Sequence, residues 1–108
     1  MTREEIQMLA FEIISYAGDS LSLNFEALNK AKKGDFEACS ALQKQAADSM
    51  QEAHHLQTSL ISGETEETGI DVPLIMVHAQ DHLMNAVLAV KLVQELIDLY
   101  KDPPMKKN

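Results

Sequence analysis

The chain has 108 residues, 45% of them hydrophobic, 24% charged and only 5% aromatic, with six Met and no Trp. That is long enough for one domain with a real core, too apolar for a disordered chain, and rich in the Leu, Ala and Met that favour helices over strands. Seventeen acidic against nine basic residues give a net charge of −8, which repels nucleic-acid phosphates and anionic lipid, so neither is an expected partner.

Cys39 is the only cysteine, so no intramolecular disulfide framework exists and a reducing compartment is expected. The opening "MTREEIQMLAFEII" carries an early arginine followed directly by two glutamates and lacks the compact apolar core of a signal peptide. No uninterrupted apolar run approaches the roughly 20 residues needed to span a bilayer. These features predict a soluble, cytoplasmic protein.

The first predicted helix covers about residues 3–33. Thr2 can cap it, and Glu5 can reach back to close a capping box. Ile6, Leu9, Ile13, Tyr16, Ala17, Leu21, Leu28 and Ala31 mark one face. Gly18 interrupts this helix at a cost of about 1 kcal/mol relative to Ala unless packing requires it. In "KKGD" the two lysines suit the negative end of the helix dipole and Gly34 suits a C-terminal cap.

Asp35 can cap a second helix over about residues 36–62, with Cys39, Leu42, Ala46, Met50, Ala53 and Leu60 as its apolar positions and Gly63 as its end. The polar, acidic "GETEETGIDV" reads as the one extended loop. Asp71 can cap a third helix over about residues 72–101, with Pro73 in its first turn. "DPP" stops that helix and leaves a loose tail at 103–108. One tight turn and one longer loop predict a single all-α domain, an antiparallel up-down-up three-helix bundle.

The third helix, "LIMVHAQDHLMNAVLAVKLV" in its first part, is apolar on too many sides. At about 100° per residue, Met76, Ala79, Leu83, Ala86, Val87, Val90 and Ile97 fall on one arc, which suits the chain's own core. A second arc holds Leu74, His78, Asp81, His82, Asn85, Ala89, Leu92, Leu96 and Leu99. Gln80, Lys91, Glu95 and Asp98 form the strip suited to water. A three-helix bundle buries one stripe per helix, so the second arc predicts self-association. His78, Asp81 and His82, at i, i+3 and i+4, can then meet within that surface.

The spacing rules out several chemistries. "HAQDH" places its acid beside the second histidine, where a zinc-protease motif places a glutamate beside the first. A di-iron bundle needs two Glu-x-x-His motifs, and only Glu52 with His55 provides one. His54 and His55 are adjacent and point about 100° apart, which makes a joint ligand role poor. Cys39 lies in an ordinary helical pattern without a histidine partner, and no Gly-rich phosphate loop is present. Three readings stay open. The cluster is a register device in an oligomerisation module; or Asp81, repeated around a symmetry axis, takes a divalent cation that relieves like-charge repulsion; or a histidine accepts a phosphoryl group. A neutral imidazole is a competent nucleophile near pH 7, and a second histidine one turn on can donate to the phosphoryl oxygens.

"VHAQDHLM" resembles the signature of the lactose/cellobiose-specific enzyme IIA family of the bacterial phosphoenolpyruvate-dependent sugar phosphotransferase system. "YAGD", "KKGDFEA", "EAHHLQT" and "LIDLYK" are similar to the same family, in register along nearly the whole chain. The resemblance implies a homotrimer joined through the third helix, acting as a phosphocarrier in the uptake of a cellobiose- or lactose-type β-linked disaccharide. It implies phosphorylation of His78 by the small phosphocarrier HPr, with onward transfer to a cysteine of a IIB component. It further implies Asp81 near the trimer axis with a divalent cation, Mg2+ by the family pattern, and His82 and Gln80 as supporting groups, Gln80 across the subunit interface. One departure is visible: Ser20 and Leu21 stand where many members have an Ala-Arg pair.

Overall fold

The computed structural model describes residues 2–66 and 73–104, with the backbone alone described at 63–66. Within them the chain forms α1 (Arg3–Lys32), α2 (Phe36–Glu66) and α3 (Leu74–Lys101), and no strand. The architecture is the all-α, up-down-up arrangement expected from the pattern.

Local chemistry sets the ends of α1. Thr2 Oγ1 accepts from the Glu5 N–H at 3.1 Å and Glu5 Oε1 accepts from the Thr2 N–H at 3.1 Å, a reciprocal box that satisfies two otherwise unpaired donors. Those Thr2 bonds, the backbone one first, hold the Glu5 carboxyl below its ordinary pKa. At the other end Gly34 takes φ 80, a left-handed conformation that costs a glycine nothing. Its N–H donates to Ala31 O at 3.0 Å and the Asp35 N–H donates to Lys30 O at 2.9 Å, which closes the last carbonyls of the helix. Asp35 Oδ1 then accepts from the Ala38 N–H at 3.1 Å and starts α2.

Two boundaries differ from the expectation. Gly63 does not end α2, which continues to Glu66. A glycine lowers helix propensity but ends a helix only when it takes the left-handed cap conformation, and among the described residues only Gly34 has a positive φ. Pro73 lies just before α3 instead of inside its first turn: its φ of −65 and ψ of 149 are extended, and it holds the N-cap position without a side-chain bond. The expected Asp71 cap lies outside the described residues.

Packing is uneven. Helix α1 packs against both α2 and α3, whereas α2 and α3 scarcely touch each other. One core cluster joins Ile6, Ala10, Ile13 and Ala17 to Ala53, Leu60, Met76, Ala79, Leu83 and Ala86. A second joins Ala27 and Ala31 to Cys39, Val93 and Ile97. Between them on α1 sit Ser20 and Asn24, both buried, with Ser20 Oγ and Asn24 Nδ2 making no hydrogen bond. Small side chains dominate the contact, which lets the helices approach closely. Gly18 needs no such explanation, since a Cβ there would meet nothing within 4 Å.

Where α2 and α3 do meet, side-chain amides bridge them. Gln43 Nε2 donates to Gln94 Oε1 at 2.6 Å, and Gln94 Nε2 donates to Asp98 Oδ1 at 2.9 Å. Nearer the α3 N-terminus, Gln57 Nε2 donates to Gln80 Oε1 at 2.7 Å. Between the two bridges lies a cleft of about 500 Å³ lined by Asn24, Met50, His54 and Val90 among others. Gln80 thus departs from the water-facing strip assigned to it: it is half-buried and tied to α2.

Candidate functional site

Helix α3 carries the cluster. Its inner arc is buried at Met76, Ala79, Leu83, Ala86 and Ile97, as the periodicity predicts, with Val93 added and Val87 and Val90 only partly covered. The outer arc stays open. Leu74 is 84% exposed, Leu92 56%, and Leu96 and Leu99 are likewise exposed. Val77, Met84 and Leu88 are exposed as well, so the uncovered apolar surface is broader than the second arc of the wheel.

Set in that surface, His78 and Asp81 are exposed and His82 is half-buried. The rings of His78 and His82 lie 4.3 Å apart, centroid to centroid, at 68° in an edge-to-face arrangement. His82 Nδ1 is 3.2 Å from the His78 carbonyl oxygen. A carbonyl only accepts, so this contact is a hydrogen bond in the tautomer that carries its proton on Nδ1, which leaves Nε2 for other partners. Leu74, Ile75, Val77, His78 and Asp81 line a hollow of about 480 Å³. All five lie on α3, so among the described residues one helix supplies the wall.

The structure therefore brings His78, His82 and Asp81 onto one open face and sets Gln80 apart from them, on the side toward α2. Asn85 is exposed on the same face, one turn beyond Asp81. Among the described residues no three His, Cys, Asp or Glu side chains of the chain could share a metal ion. Cys39 is fully buried, and burial pushes its thiol pKa up against the opposing charge of Lys101, with Asp35 adding to the rise. A buried, protonated thiol is a poor nucleophile. His54 and His55 are both exposed on α2 and belong to neither ring contact nor hydrogen bond with the α3 pair. Sequence reading did not single out Gln57 as the partner of Gln80, because an α2-to-α3 amide contact leaves no periodic signal.

Among the described residues, then, an all-α fold carries its histidine cluster on an open, largely apolar helix face. Residues 8–101 match the family described as the PTS system lactose/cellobiose-specific IIA subunit, and the chain belongs to that family. It is 43% identical over 101 residues to the PTS system lactose-specific EIIA component of Staphylococcus epidermidis, covering 94% of this chain and 97% of that one. It is similar, at a TM-score of 0.85 and 38% identity, to the crystal structure of the PTS cellobiose-specific enzyme IIA from Bacillus anthracis, over 94% of this chain and 91% of that one. It is also similar, at a TM-score of 0.78 and 41% identity, to the chitobiose IIA of Escherichia coli solved in complex with HPr, over 89% of this chain and 93% of that one. Among the described residues no helix is long and apolar enough to cross a membrane.

Proposed function

We propose that this protein is a phosphocarrier in which His78 accepts a phosphoryl group from phospho-HPr and passes it to a cysteine of a IIB component, in the uptake of a cellobiose- or lactose-type disaccharide. The observation that carries the reading is the pair of edge-to-face histidines, beside Asp81, on an uncovered and largely apolar helix face. The His78 nitrogen lone pair attacks phosphorus; the N–P bond forms as the bond from phosphorus to the donor breaks. In the second step a cysteine sulfur attacks, the S–P bond forms, and the electron pair of the N–P bond returns to His78. His82, held through Nδ1 to the His78 carbonyl oxygen, has its ring 4.3 Å from the His78 ring and its Nε2 left for other partners. When protonated, that N–H donates to a phosphoryl oxygen and offsets its charge.

The active form is a homotrimer built through α3. Support comes from the exposed positions themselves, which repeat every eleven residues: Leu74, Asn85 and Leu96; Val77, Leu88 and Leu99; Asp81 and Leu92. An eleven-residue repeat stays on one side of a nearly straight helix, as a self-associating seam requires. Parallel copies would align Asp81 with Asp81 and leucine with leucine, whereas antiparallel ones would press the acids onto the leucines. One carboxylate per chain cannot hold a cation, but three around an axis form a hard oxygen donor set suited to Mg2+. The ion would supply the positive charge that lets three carboxylates share the seam.

Incubation with phosphoenolpyruvate, enzyme I and HPr is expected to place acid-labile phosphate on the protein, and His78→Ala is expected to remove it. Label absent from the wild type, or retained in His78→Ala, would sink the relay. A protein that assembles and binds Mg2+ but never takes label would instead be an oligomerisation module.

A further inference from the structure

The bridge between α2 and α3 at the level of the histidines has a direction. Gln57 Nε2 donates to Gln80 Oε1 at 2.7 Å, which occupies the oxygen of the Gln80 carboxamide. The nitrogen of the same group has only a 3.6 Å contact with Met76 Sδ, a weak acceptor. Gln80 therefore holds its oxygen inward and keeps N–H capacity to spare.

Within one chain that capacity cannot serve His78. Gln80 is two residues on, about 200° around the helix, on the opposite flank with Val77 and Met84. In a ring of parallel α3 helices with Asp81 at the axis, each helix turns one flank to the copy on its left and the other flank to the copy on its right. The His78 flank of one copy thus faces the Val77, Gln80 and Met84 flank of the next at the same height. Val77 and Met84 are half exposed and apolar. On that flank Gln80 supplies the hydrogen-bond donors.

We propose that Gln57 is a positioning residue for phosphoryl transfer: it holds the Gln80 carboxamide so that its N–H groups face the phosphoryl oxygens on the partner subunit's His78. This rests on the phosphocarrier reading and on assembly through α3. Its chemistry is specific. A donor at position 57 keeps the Gln80 oxygen occupied, while an acceptor there recruits the Gln80 nitrogen and turns the oxygen toward an anionic phosphoryl group.

Three full-length variants test it, with oligomeric mass and Tm measured for each: Gln57→Lys keeps a donor, Gln57→Leu removes it, and Gln57→Glu substitutes an acceptor. Phosphorylation by phospho-HPr is expected to be slowest in Gln57→Glu, by roughly ten- to a hundredfold and mainly in kcat, intermediate in Gln57→Leu and near wild type in Gln57→Lys. Mixed oligomers of Gln57→Glu with His78→Ala are expected to label faster per intact His78 than Gln57→Glu alone, because the His78→Ala copies supply an undisturbed Gln57–Gln80 pair. A wild type that takes no label removes the phosphocarrier reading and this role with it. A wild type that labels normally, with the three variants equally slow or all unimpaired, or with no gain in the mixed oligomers, overturns the Gln57 role alone.

Discussion

The side of α3 turned to α1 carries Met76, Ala79, Leu83, Ala86 and Ile97, all buried, while the outward side carries Leu74, Val77, Leu88, Leu92, Leu96 and Leu99, all exposed. Both sides are aliphatic, yet polar groups are distributed between them very unevenly. The inner side has none, because each would leave an unmatched hydrogen bond in a core built from close helix contacts. The outward side has His78, Asp81, His82 and Asn85 gathered toward its N-terminal half. A face that a single chain leaves in water can hold reactive groups that the core cannot, and the same face still has leucines enough to pack against another copy. In the proposed trimer, site and assembly surface are one surface.

Four measurements would break or sharpen that contrast, from the largest expected effect to the smallest. Leu92→Lys puts a charge in the middle of the seam; sedimentation at micromolar concentration is expected to find monomer, with helicity kept in circular dichroism. An unchanged oligomer would mean the outward leucines serve something else. Leu83→Ala acts on the buried side, where truncating a fully covered leucine costs about 2–5 kcal/mol, so urea unfolding is expected at a lower midpoint at every protein concentration. Asp81→Leu removes like charges from the seam: the oligomer is expected to persist or tighten without divalent cation, and isothermal titration with Mg2+ is expected to lose its heat. A variant that falls apart would remove the like-charge argument. Ser20→Ala takes away a buried hydroxyl that makes no hydrogen bond, and a gain on the order of 1 kcal/mol in unfolding free energy is expected. Resemblance to the family already puts an alanine at that position in many members.

Much of this was legible in the chain itself. Thr2 with Glu5, Gly34 with Asp35, and the lysines before them announce helix ends through side chains that reach only their own backbone. The inner arc of α3 follows from a period of 3.6 residues. Gly63 misled because a glycine signals a stop only through a backbone angle that the sequence does not state. Val77, Met84 and Leu88 were missed on the outward face because a wheel assigns arcs by angle, while exposure depends on where the neighbouring helices sit. Gln80 was misplaced for the same reason: at its angle water and α2 were equally possible, and the Gln57 amide decided between them.

The sequence alone determined three helices, the caps at both ends of α1 and at the start of α2, the inner stripe of α3 and a histidine-aspartate cluster at i, i+3 and i+4, because all of these depend on separations of a few residues along one helix. Only the tertiary structure decided that α1 is the helix packed against both others, that α2 and α3 meet through glutamine amides, and that the outward face of α3 stays uncovered. Those facts concern residues far apart in the chain, where no local spacing can choose a partner and packing of whole helix faces does.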